Sequence, residues 1–180
     1  MKKLLTLLLL LSTMAAQAQT GKAADQVAKI RARYAEAKQM MANEGEDWMT
    51  QNHVVVNATY MCPGTGPRNE NIQFYFTLDE GDEDSDEIYV RTPYIITRSY
   101  NVAPRKFYEE YLYDAKGHLI FFYSSNDSHE SELKDESRYY WNASAKLVHQ
   151  QKQGVALYSE AHARSISDHL LQTFHMLVIP

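Results

Sequence analysis

The chain has 180 residues, with 18 lysines and arginines against 23 aspartates and glutamates and a formal net charge of −5. That balance argues against a nucleic-acid binder, because phosphate contacts need clustered basic side chains. A single cysteine excludes an intrachain disulfide framework, and a chain of this length buries roughly 70% of its unfolded surface without one.

At the N-terminus, Lys2 and Lys3 precede the apolar run 4–11, and Ala16-Gln17-Ala18 offers small residues at a cleavage point before Gln19. This order of charge, apolar run and small residues predicts a secretory signal peptide over residues 1–18, followed by a single domain over 19–180. The apolar run, about eight residues, is too short for the roughly 20 that a bilayer core requires, so no membrane insertion is expected after signal removal. The only cysteine, Cys62, is too far downstream to carry a lipid at the cleavage point. The expected location is the periplasm or the medium.

The first element after the leader is an amphipathic helix over 23–42. Val27, Ile30, Tyr34, Ala37 and Met41 recur at helical spacing, and Lys29, Arg31, Arg33, Glu36 and Lys38 fill the other faces. After Trp48 the period falls from 3.6 to 2. Strands are predicted over 53–61 and 72–78, the second alternating Ile72, Phe74, Phe76 and Leu78 with Gln73, Tyr75 and Thr77. Further strands follow over 87–100, 105–113, 118–124, 137–141 and 146–152, with Pro93 interrupting the first by a bulge or an edge. A closing helix over 160–178 carries the stripe Ile166, Leu170, Phe174 and Leu177. The series predicts an α+β fold: an N-terminal helix, an antiparallel meander of about 6–7 strands and a C-terminal helix packed on the sheet. Both helices are expected over one face; the alternative is a curved half-barrel.

The segments 113–120 and 141–148 match position by position in residue class. Asp114 or Asn142 can fold its side chain onto the turn backbone, and Gly117 suits the left-handed position of a bulged hairpin. Ala145 fits that position badly, so the second turn is expected to be longer or of another type. The first copy, Tyr113-Asp114-x-x-Gly117-x-Leu119, resembles the tyrosine-aspartate hairpin repeats of large exported bacterial shell proteins and of many small exported proteins. The resemblance covers about eight residues. It implies a sheet-building role for the motif and no functional residue.

Several residue groups invite a chemical reading. Asp82, Asp84 and Asp86 occupy calcium-loop positions one, three and five. Glu87 then stands at the turn glycine and Pro93 at the bidentate glutamate, so a solvated loop is expected over 79–87. His162, His169 and His175 in the last helix lack the i, i+4 spacing of paired zinc ligands; no metal and no cofactor are expected. Glu109 and Glu110 alternate across a strand and cannot flank one bond. One is expected to point inward to an Arg or Tyr and the other to be a surface charge.

The composition stands out for its 13 tyrosines, interleaved in the strands with Arg91, Arg98, Arg105 and Arg138. On an open sheet face such residues make a recognition surface. The leading expectation is an exported non-enzymatic module that binds a protein or small ligand through Tyr75, Arg98, Arg105 and Tyr108. The alternative is a hydrolase or thiol enzyme centred on Cys62 with a histidine near in space. The known cysteine-protease signatures are absent around Cys62.

Overall fold

The computed structural model describes the backbone of residues 2–43, 52–80, 89–127, 135–154 and 158–178, and side chains from residue 21 onward. Most of the acidic run, residues 81–87, and His129 lie outside the described residues. The elements are α1 (Lys2–Asn43), β1 (His53–Cys62), β2 (Gly66–Glu80), β3 (Tyr89–Val102), β4 (Arg105–Tyr113), β5 (Leu119–Asp127), β6 (Asp135–Trp141), β7 (Leu147–Gln153) and α2 (Glu160–Val178). Among the described residues, no helix is long and apolar enough to cross a membrane.

The seven strands form one open antiparallel sheet in the order β1 to β7, each paired with its neighbour in sequence. This is the expected α+β meander with a helix at each end. Pro93 stands at an irregularity, as its missing N–H requires: the β2–β3 register shifts between Tyr75, opposite Ile95, and Phe76, opposite Pro93.

The helices do not share a face. Strand side chains alternate between two cores. Phe74, Phe76, Ile96, Tyr111, Tyr113, Phe122, Tyr139 and Trp141 pack with Ala163, Leu170 and Phe174 of α2. Tyr75, Ile95, Leu112, Phe121 and Tyr140 pack with Val27, Ile30 and Ala37 of α1. The expectation of one covered face is therefore corrected. Adjacent apolar pairs such as Ile95-Ile96, Phe121-Phe122 and Tyr139-Tyr140 put an apolar group on each side, and each side needs its own helix.

The two tyrosine-aspartate-like turns are the same turn. Gly117 N donates to Asp114 O at 3.0 Å and Ala145 N to Asn142 O at 2.8 Å. Asp114 Oδ1 accepts from the backbone of Lys116 and His118, and Asn142 Oδ1 accepts from Ser144 and Lys146. Gly117 has φ 77° and Ala145 φ 56°. The expectation of a different second turn is thus overturned. The Asx side chain and the flanking ladder dictate the backbone path, and alanine is held in the left-handed region despite its Cβ.

Candidate functional site

Each face of the sheet is apolar at the end covered by its helix and polar toward the end that holds the β1–β2 and β3–β4 turns. On the α2 side, the cross-strand neighbours Arg98 and Glu109 form the centre of a buried ionic cluster. Arg98 Nε donates to Glu70 Oε1 and Nη1 to Glu109 Oε2, while Glu109 also accepts from Tyr100 at 2.9 Å and Tyr111 at 2.7 Å. Arg68 stacks over the Tyr100 ring at 4.1 Å from its centroid and pairs with Glu70.

Burial alone would lower the Arg98 guanidinium, but the Glu70 bond and the Glu109 and Glu70 charges outweigh it and raise its pKa. Burial would likewise raise Glu70; its bonds to Arg98 and Tyr60 and the charge of Arg68 prevail and hold it below the usual range. Burial, then the neighbouring Glu109, pushes Tyr100 and Tyr111 up, so both phenols stay protonated donors. Two arginines face two carboxylates, and the cluster closes on itself. Beside it, Ser124 Oγ, Ser137 Oγ and the amide of Asn126 are buried without a hydrogen-bond partner among the described residues.

On the α1 side, Glu110 is buried as well, accepting from Tyr34, from Lys38 at 2.8 Å and from Tyr108 at 2.6 Å. The expectation that one of the two glutamates is a surface charge is corrected. Helix α1 lies over this strand and supplies the two partners that make burial tolerable. Burial, then the Glu110 bond, raises both Tyr34 and Tyr108.

Beyond the edge of α1 the same face opens into a trough of about 330 Å³. Its floor is the backbone of the cross-strand row Ala58, Glu70, Tyr100 and Phe107, whose side chains point to the α2 side. One wall is Asn57, Asn71 and Ser99; the other is Thr59, Asn69, Asn101 and Lys106. A relay of side chains ties the first wall to the core: Tyr75 OH donates to Gln73, Gln73 to Asn71, and Asn71 to Asn57, over 2.6, 2.9 and 2.8 Å. In the second wall Thr59 donates to Asn69 Oδ1. Asn101 takes the Asn69 backbone N–H and donates to the Pro67 carbonyl, which fixes its amide both ways. These are short strand side chains in defined poses, a preorganised surface and not a fringe of mobile ones.

The four residues expected to bind ligand are not brought together. Tyr75 and Tyr108 are on the α1 side next to the trough, Tyr75 within the core packed by α1. Arg98 is on the α2 side in the ionic cluster, and Arg105 is exposed at the start of β4. The trough residues themselves escaped the sequence reading. Their signal was present as polar alternation within strands, at Asn57 and Thr59, at Asn69, Asn71 and Gln73, and at Ser99 and Asn101.

Cys62 is at the β1–β2 turn, the opposite tip of β1 from His53; His118 and His149 flank turns at that far end as well. The strand geometry therefore brings none of these three to the thiol. No group of three or more potential metal ligands occurs among the described residues. Comparison with family models, with curated proteins and with solved structures finds no match.

Proposed function

We propose that the protein is an exported, non-enzymatic binding module that captures its ligand in the trough on the α1 side of the sheet. The observation that carries this reading is the pair of polar walls built from Asn57, Asn71 and Ser99 and from Thr59, Asn69, Asn101 and Lys106. They form where the face is left uncovered by α1, and the walls are braced by hydrogen bonds instead of being free in solvent. The leader-like N-terminus supports an address outside the cytoplasm. The Arg98 cluster contributes to the fold on this reading, since its charges already neutralise one another.

The test is a ligand screen by thermal shift on the purified protein, with the Asn57→Ala/Asn69→Ala double variant as control. Both side chains are exposed, so the variant is expected to melt like the parent while losing the ligand-induced shift. A ligand that shifts both proteins equally, or whose footprint by amide exchange falls away from β1–β4, overturns the trough as the site.

A further inference from the structure

We infer that the protein associates with a second copy of itself by pairing the outer edge of β1, antiparallel and two-fold symmetric about Ala58, into one continuous sheet. β1 and β7 are the two ends of the open sheet, and an unpaired edge offers its backbone N–H and C=O groups to any strand that fits. The two ends differ. β7 includes Lys152, its register with β6 shifts between Tyr140 and Trp141, and α1 lies along its start, with Ala23, Ala24 and Val27 beside Val148 and His149. β1 runs ten residues, His53–Cys62, with no Lys, Arg, Asp, Glu or Pro and with unbroken register against β2. Among the described residues β1 pairs with β2 alone. It has none of the charges, prolines or bulges that blunt an edge.

The backbone groups that point outward follow from one hydrogen bond. Phe76 N donates to Asn52 O at 3.0 Å, in the same register as His53 opposite Tyr75. Hydrogen-bonded and non-hydrogen-bonded pairs alternate along an antiparallel ladder. Val54, Val56, Ala58 and Tyr60 therefore bond to β2, and the N–H and C=O of Val55, Asn57, Thr59 and Met61 point away from it.

A second β1 can meet these outward groups only in registers that set odd-numbered residues opposite one another, and the two with the fullest overlap have their axis at Asn57 or at Ala58. With the axis at Ala58, Val55 is opposite Met61 of the second copy, Val56 opposite Tyr60, and Asn57 opposite Thr59, each twice. Val55, Tyr60 and Met61 are 43%, 42% and 73% exposed in the single chain. The pairing sets apolar against apolar on both faces, with amide against hydroxyl between the apolar pairs of the α1 side. An axis at Asn57 sets Val55 against Thr59 and Asn57 against itself. The strand is thus self-complementary about Ala58, which points to a second copy and not to an unrelated strand.

One added ladder is a small contact, under roughly 1,200 Å² of buried surface, which is the range of weak and transient association. The chain is expected to be monomeric when dilute and dimeric when concentrated. The inference rests on the outer edge of β1 and stands whether or not the trough takes a ligand.

The experiment is sedimentation velocity over a concentration series, on the purified protein and on Val55→Lys, Met61→Asp and the double variant. The parent should show a monomer–dimer equilibrium. Each single variant should weaken the dimer at least about tenfold, because a charge on an edge opposes pairing. The double variant should return close to the parent. Positions 55 and 61 oppose each other across the Ala58 axis, whereas within one strand they are about 20 Å apart. Both side chains are exposed, so thermal unfolding of the monomer should be little changed and verifies that the variants fold.

A parent that stays monomeric up to about 1 mM overturns the inference. So does a dimer indifferent to either single charge, or one that the double variant fails to restore. Oligomers that grow beyond two, as a β1-to-β7 contact would produce, overturn it as well.

Discussion

The carboxylates of Glu109 and Glu110, consecutive residues of β4, are buried on opposite faces of the sheet and share no hydrogen-bond partner. Each replaces a water shell with three protein donors. Removing either one strands its donors, so Glu109→Ala and Glu110→Ala should each lose about 3 kcal/mol or more in urea unfolding. Gln at either position keeps the shape and should cost less. Because the partner sets are disjoint, the double Gln variant should sum the single losses to within about 0.5 kcal/mol. Strong coupling would show that the two faces communicate through the strand.

Arg98 and Arg105 are both strand arginines and carry different structural weights. Arg98→Ala leaves Glu70 and Glu109 without their shared cation and is expected to cost about 3–5 kcal/mol. Arg105→Ala, at an exposed position, should stay within about 0.5 kcal/mol of the parent. Equal losses in denaturant midpoint would contradict the placement of Arg98 at the centre of the cluster.

The repeated turn permits a reciprocal substitution. Ala145→Gly relieves a left-handed residue and should raise stability by about 1 kcal/mol, whereas Gly117→Ala should lower it by a comparable amount. Thermal unfolding of the two variants and their combination reads this directly, and the combination should return near the parent.

Ser124 and Ser137 face each other across β5 and β6 with buried hydroxyls that find no partner among the described residues. Ser124→Ala and Ser137→Ala remove the desolvated oxygen without opening much space. Each should leave stability unchanged or raise it by up to about 1 kcal/mol. A clear loss on calorimetry would reveal a hydrogen bond at these positions.

Stability should respond to pH at both extremes. Tyr34, Tyr100, Tyr108 and Tyr111 are raised above the ordinary phenol value of 10.0. The unfolded chain therefore loses protons first, and stability is full below about pH 10 and falls as the pH rises beyond it. Glu70 is lowered from an ordinary 4.5, so its contribution is present above that pH and lost on acidification through lower values. These groups give a flat top between the two limits. Tyrosinate absorbance in the native protein should lag behind that in denaturant; coincident curves would contradict the buried phenol networks.

Most of the architecture was legible because two short-range signals are strong. Period-two alternation located all seven strands, and 105–113 and the helix 160–178 were placed to the residue. What escaped has a common cause. Alternation tells which residues share a face but not what covers it; the pairs Ile95-Ile96 and Phe121-Phe122 are the sequence's signs of two buried faces. The same blindness hid the site. The strand was expected to start at 72, yet β2 begins at Gly66, and Asn69 and Asn71 in the added stretch line the trough. Arg98 was conspicuous as a charge in a strand, and only its neighbours across the ladder show that the charge is internal.

The order β1 to β7 has a consequence for how the chain reaches this state. Every ladder joins segments adjacent in sequence, so no strand must wait for a distant part of the chain before it can pair. Loop closure is short at each step, and contact order is low for a protein with so much sheet. Folding can spread hairpin by hairpin from the two Asx turns at Asp114 and Asn142, which join β4 to β5 and β6 to β7. The chain should accordingly refold faster than sandwiches of equal size, whose strands pair across long connections.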